Sequence, residues 1–224
     1  MSTAKRTTRP VTTAAPISVS SREEMEGALR HLRRDPRLRP IIRAFGPPRF
    51  RRYDSHFHAL ARSILFQQLS GLAAQTIFGR FVALFEGDRF PRPEQVLALS
   101  VDELRAVGVS RQKAAYLLDL AAKLEDGTIR PHRLARLPED ELIAELTRVK
   151  GIGVWTVHMF AIFTLKRPDV LPVGDLGIRK GFERLFELGT EPNAATMVEL
   201  AERWRPYRSI ASWYLWRVLE METV

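Results

Sequence analysis

The chain has 224 residues, 45% of them hydrophobic, with 35 basic and 26 acidic side chains, a net charge of +9 and an isoelectric point near 10.4. That length can bury a core in one domain or two closely packed lobes, and the charge favours a polyanionic partner. The chain has no cysteine, which excludes disulfides, thiolate zinc sites, iron–sulfur clusters and cysteine nucleophiles; no run nears the ~18 apolar residues of a membrane span.

Residues 1–20 are rich in Thr, Ala, Pro and Ser without the apolar segment of a secretory signal, and are expected to form a disordered tail. A cytoplasmic location and a monomer are the simplest expectations. Arg22 to Leu38 carries Met25, Leu29 and Leu32 at helical spacing, and Pro36 and Pro40 mark its end. Gly46-Pro47-Pro48 is a loop, and His56 to Phe85 supports two helices broken around Ser70-Gly71. Ser100 followed by Glu103 has the spacing of a capping box. Further helices are predicted over 138–149, 154–165, 175–188, 194–204 and 209–221. Val170, Leu171 and Val173 form at most one short extended piece, interrupted by Pro172. The prediction is an all-α fold, with lobe A about 21–52 plus 167–224 and lobe B about 53–166.

A weak repeat runs through the middle. Asp102 to Ser110 and Glu141 to Gly153 both read as a helix followed by a glycine-containing turn, and a second helix follows each. In the second copy the turn is Gly151-Ile152-Gly153. Glycine reaches positive φ without a Cβ clash and lets a foreign backbone approach, and the next helix starts with unpaired amides that suit a phosphate oxygen. A tight interhelical turn with a glycine cap would look the same. The charge is equally ambiguous: only six of the 35 basic residues are lysine, and an arginine-rich solvated surface would give the same balance.

Asp175 follows Gly174 and precedes the helical pattern Leu176, Ile178, Phe182, Leu185. Its commonest role there is a helix N-cap. A helix N-terminus also favours an ionised carboxylate, which is a form that can do chemistry.

Together, Val149-Lys150-Gly151-Ile152-Gly153-Val154-Trp155-Thr156 and Leu171-Pro172-Val173-Gly174-Asp175-Leu176-Gly177 resemble the helix-hairpin-helix DNA glycosylase superfamily. The chain is most similar there to the DNA-3-methyladenine glycosylase II family. The resemblance extends to Ser63–Ser70, Val107–Ala114 and Trp204–Ser209, in family order from about residue 50 to 220. Only about fifty residues precede the first matching helix, so the N-terminal β-rich domain of larger members is not expected.

The resemblance implies a two-lobed helical bundle acting on double-stranded DNA that contains alkylated bases, and it places Asp175 on the catalytic aspartate. A fixed carboxylate can stabilise oxocarbenium character at the sugar and position water. Bifunctional relatives carry a lysine nucleophile two residues after the second glycine, where this chain has Trp155; the expected enzyme is a monofunctional glycosylase without lyase activity. The target base must leave the stack, and aromatic faces would hold a cationic base. By resemblance Trp155, Trp216 and Phe57 line that pocket, with Met159 and Leu176 where some relatives carry tyrosine and Phe66 where glycine is frequent. Gln68 is the first candidate for the wedge that replaces the flipped base, and Leu69 the second.

Lys150, Gly151, Gly153, Val154 and Thr156 are expected to meet a DNA phosphate. No cofactor is required, although carbonyls of Thr147, Val149 and Ile152 match positions that hold a structural cation in some relatives. The five histidines are scattered, and His56 and His58, two residues apart, do not share a helix face.

Overall fold

The computed structural model describes residues 21–87 and 89–221; the predicted N-terminal tail lies outside them. The regular structure of the described residues is all helical, with no strand among them. In chain order the helices are α1 (Arg22–Leu32), α2 (Leu38–Phe45), α3 (His56–Phe66), α4 (Gly71–Val82), α5 (Pro93–Leu97), α6 (Val101–Ala106) and α7 (Arg111–Glu125). They continue as α8 (Pro131–Leu134), α9 (Glu139–Leu146), α10 (Val154–Phe163), α11 (Leu176–Phe186), α12 (Ala194–Ala201) and α13 (Arg208–Val218). No described helix is long and apolar enough to cross a membrane.

Short polar side chains set many of the helix starts. Ser21, Ser55, Ser70, Ser100, Ser110, Asp175 and Asn193 each accept a backbone N–H of the first turn that follows. The Ser100–Glu103 capping box forms in both directions, at 2.8 and 3.2 Å. One boundary differs from expectation: α1 stops at Leu32 and a separate α2 begins at Leu38. Pro40 does not end a helix but sits in the first turn of α2, where a missing N–H leaves no bond unmade. The 170–173 segment forms no strand. It turns tightly, with the Val173 N–H on the Leu171 carbonyl at 2.9 Å.

Apolar side chains gather into two cores. One spans Phe57 to Val170 and is built mainly from α3, α7 and α10, with α5 packed on α7. The other joins Ala28–Ile42 to Leu171–Val218, so that both ends of the described chain share it. Two polar contacts fasten the ends: in a buried one Trp204 Nε1 donates to Asp35 Oδ2 at 2.9 Å, and in a partly buried one the Tyr214 hydroxyl donates to the Gly46 carbonyl at 2.7 Å. Burial raises the Tyr214 pKa well above the usual phenol range, so it stays a donor.

The repeat exists in three dimensions. Gly108, between α6 and α7, and Gly151, between α9 and α10, both take positive φ, +97° and +81°. At Gly151 space is decisive as well, because a Cβ would lie 2.1 Å from the Tyr116 ring.

Helix α11 crosses α13 at Gly181, where a Cβ would meet the Leu215 carbonyl oxygen at 2.6 Å and its Cβ at 2.9 Å. Helix propensity alone predicts that Gly181→Ala stabilises by up to ~1 kcal/mol. Overpacking against backbone costs ~1–3 kcal/mol and should win. Urea denaturation is therefore expected to show a net loss of stability, and a gain would refute the close crossing.

Candidate active site and DNA interface

Asp175 sits where the two cores meet. It caps α11, with Oδ1 accepting the Ile178 N–H at 2.9 Å. The same oxygen accepts Trp216 Nε1–H from α13 at 2.9 Å, and Oδ2 accepts Trp155 Nε1–H from α10 at 2.6 Å. The cap and the chemical candidate are thus one residue, 9% exposed and held by three donors. Three N–H donors hold the two carboxylate oxygens in one orientation.

The loop before Asp175 is clamped from α13. Arg208, buried, makes a two-pronged contact with Asp169, Nε to Oδ1 at 2.7 Å and Nη2 to Oδ2 at 3.0 Å. The Ser209 N–H donates to the Pro168 carbonyl, and its hydroxyl oxygen accepts the Val170 N–H. The Asp175 N–H closes a turn on the Pro172 carbonyl at 2.9 Å. The helix bearing Trp216 therefore also positions the segment that delivers its acceptor.

Gly177 makes room for this arrangement. A Cβ there would lie 2.8 Å from Trp216 Cδ1 and 3.1 Å from both Trp216 Nε1 and Asp175 Oδ1. Trp216 also packs against both cores and stacks on Phe163, with ring centres 5.7 Å apart at 28°. Its role is partly structural. Trp155 and Leu176, each 50% exposed, leave apolar surface beside the carboxylate, and Met159 is half-buried against the first core.

Two expected pocket residues lie differently. Phe57 is 3% exposed in the first core, edge-on to Phe90 at 5.8 Å, and offers no free ring face to a base. It falls on the inward side of α3, whose buried stripe includes Leu60, Ile64 and Leu65. Phe66 is half-buried, with the Arg62 guanidinium 3.6 Å above its ring, so that face is already taken.

At the hairpin, Gly153 precedes α10 and no side chain caps the helix. Gly153 has φ −100°, and a Cβ there would meet nothing within 4 Å. Its value is openness: a ligand can approach the free amides of the first turn. Val154 is 47% exposed, while the Thr156 side chain is buried, leaving that residue only its amide for a phosphate. The Lys150 N–H is held by Asp119 Oδ2 at 2.9 Å, and the Lys150 residue is exposed. Of the carbonyls proposed for a cation, that of Val149 accepts the Ile152 N–H at 3.1 Å, and the Thr147 hydroxyl donates to the Ile143 carbonyl.

The 67–70 segment is braced against this hairpin. Gln67 Nε2 donates to the Gly151 carbonyl at 2.8 Å, and Lys113 Nζ donates to the carbonyls of Leu65 and Gln67 at 2.8 and 2.7 Å. Burial lowers the Lys113 pKa. On this support Gln68 is exposed in a left-handed conformation (φ +53°), and Leu69 is 39% exposed. Leu72, at the start of α4, is 86% exposed. The sequence assigns no role to Leu72, and Gln67, Lys113 and Gly177 stand in the matching motifs without one, because their partners, Gly151, the Leu65 and Gln67 carbonyls, and Trp216, are distant in sequence.

A profile described as HhH-GPD superfamily base excision DNA repair protein matches residues 61–206. The chain is 36% identical over 186 residues to DNA-3-methyladenine glycosylase 1 of Schizosaccharomyces pombe, covering 83% of this chain and 82% of the relative. Its structure is similar to that of a 3-methyladenine DNA glycosylase from S. pombe in complex with abasic DNA, with TM-score 0.77, 34% identity, and coverage of 88% of this chain and 100% of the other. It is also similar to a DNA-3-methyladenine glycosidase from Bacillus halodurans, with TM-score 0.75, 33% identity and 90% coverage of each chain. The uncapped hairpin, the carboxylate at the lobe junction and these likenesses agree: the chain belongs to the HhH-GPD superfamily of base excision DNA repair proteins.

Proposed function

We propose that the chain is a monofunctional DNA glycosylase that hydrolyses the N-glycosidic bond of alkylated bases of the 3-methyladenine type. The observation that carries this reading is Asp175, a nearly buried carboxylate held by two indole N–H groups and a helix amide. An alkylated purine already bears positive charge and leaves without strong acid assistance. The enzyme's task is then to stabilise the oxocarbenium character left on the sugar and to orient a water, and one carboxylate serves both. The half-exposed face of Trp155 suits a cationic base, through stacking and cation–π attraction of ~0.5–2 kcal/mol.

The partners of Asp175 also support hydrolysis without strand cleavage. They are two indoles and a backbone amide, with no amine among them. Lys150 lies before the hairpin glycines, on the other side of the turn from Trp155. Binding would begin at the α10 amides and Lys150, with Gln68 and Leu69 filling the space of the flipped base. A cation on the Thr147, Val149 and Ile152 carbonyls belongs to the same proposal as a binding aid: neutral oxygens suit a hard ion, and the Val149 carbonyl keeps a lone pair beyond its bond to Ile152.

Asp175→Asn presents at most one amide oxygen to the three donors and removes the charge. Base release from methylated duplex is expected to fall by ~10²–10³-fold, the scale of losing one preorganised electrostatic partner, with duplex affinity retained. Near-normal release by that variant would overturn the mechanism, and absence of free base with the unaltered chain on any alkylated duplex would leave a binding protein only. Borohydride added during turnover is expected to trap no protein–DNA adduct; a covalent product would show amine chemistry and refute the monofunctional reading.

A further inference from the structure

The far end of α10 carries a second concentration of positive charge that the site above does not use. A cavity of about 570 Å³ lies there, lined among others by Arg51, Arg52, His56, His132, Thr164 and Lys166. Helix α10 has ten residues, so this cavity is about 15 Å or more from the hairpin amides. Arg51 and Arg52 come from the segment between α2 and α3, and Lys166 from the turn after α10.

Arg51 and Arg52 are exposed, and two features mark the cluster they form with Lys166. First, no ion pair neutralises Arg51, Arg52 or Lys166 among the described residues. The one acid in the lining, Asp54, accepts the Phe90 N–H at 3.3 Å and lies 3.3 Å from the His58 ring. Second, Lys166 has φ +54°, a left-handed conformation that disfavours any residue with a side chain. The chain is fixed in that shape because the Arg167 N–H returns to the Ala161 carbonyl, and the buried Arg167 guanidinium donates to the carbonyls of Leu134 and Leu137. Glycine is the usual residue at such a helix end. The helix dipole favours a cation there, but it does not account for Arg51 and Arg52, which arrive from a different segment.

We infer that this basic cavity binds the phosphodiester backbone of a second DNA segment while the hairpin holds the first. Cations gathered from two segments without carboxylate partners suit the phosphates of a DNA backbone, and binding there would release counterions as at the hairpin. A protein with two such faces can pass from one duplex to another without becoming free, which suits a search for rare lesions. The inference rests on the chain being a DNA enzyme, but its test uses undamaged DNA and does not depend on base release.

The test measures dissociation from a labelled undamaged duplex as unlabelled duplex is raised. Direct transfer predicts a rate that climbs several-fold with competitor concentration. In the triple variant Arg51→Gln, Arg52→Gln, Lys166→Gln the rate should become independent of competitor, while its value at the lowest competitor and base release from a short methylated duplex stay unchanged. In the single variants, which keep part of the transfer, the salt slope of the transfer rate should fall by up to about 0.9 for the charge removed. A competitor-independent rate in the unaltered chain would overturn the inference. So would a triple variant that still transfers, one that no longer holds the first duplex, or acceleration by polyglutamate equal to that by DNA.

Discussion

One carboxylate joins the two halves of this molecule. Asp175 begins α11 in one core, accepts the Trp216 indole from α13, and accepts the Trp155 indole from α10 in the other. A carboxylate this buried is costly without donors. Hydrogen bonds to a charged group contribute ~1.5–3 kcal/mol each, less for the half-exposed Trp155, where solvent screens the contact. The same three bonds fix the orientation of the group proposed to face the sugar, so the lobe junction and the chemical site are a single construction.

The surrounding packing preserves that geometry. Gly177 leaves space for the Trp216 edge, Gly181 lets α11 approach α13, and Arg208 with Ser209 ties the preceding loop to the helix that carries Trp216. A similar economy operates at the hairpin. Gly151 is required by Tyr116 and by its positive φ, whereas Gly153 adds only an open approach to α10. Gln67 and Lys113 then hold the exposed 68–72 segment at a fixed position beside that approach. Rigid support under exposed side chains is what displacing a base from a stack demands.

Much of this was legible in the sequence because local chemistry decides it. The cap at Asp175, the Ser100–Glu103 box and the break near Ser70 follow from residue types a few positions apart. The α1–α2 boundary was misplaced because Pro40 is compatible with a first turn as well as with a helix end. What composition and spacing could not show are contacts across long separations. Trp155 and Trp216 are 20 and 41 residues from Asp175, and both were expected to offer faces to a base. Each also offers its N–H edge to the carboxylate. Phe57, one turn along an apolar helix from neighbours that are also buried, was indistinguishable by pattern from a pocket residue, and packing assigns it to the core.

The central claim is that the indole N–H of Trp216 orients the Asp175 carboxylate for reaction. Trp216→Phe keeps an aromatic ring against Phe163 and both cores but removes that donor. Under single-turnover conditions on a methylated duplex, base release should slow by about tenfold or more, the equivalent of ~1.4 kcal/mol or greater, with duplex affinity retained and urea stability lowered by no more than the ~1.5–3 kcal/mol of the lost bond. A Trp216→Phe variant that folds, binds and releases base at the unaltered rate would contradict it.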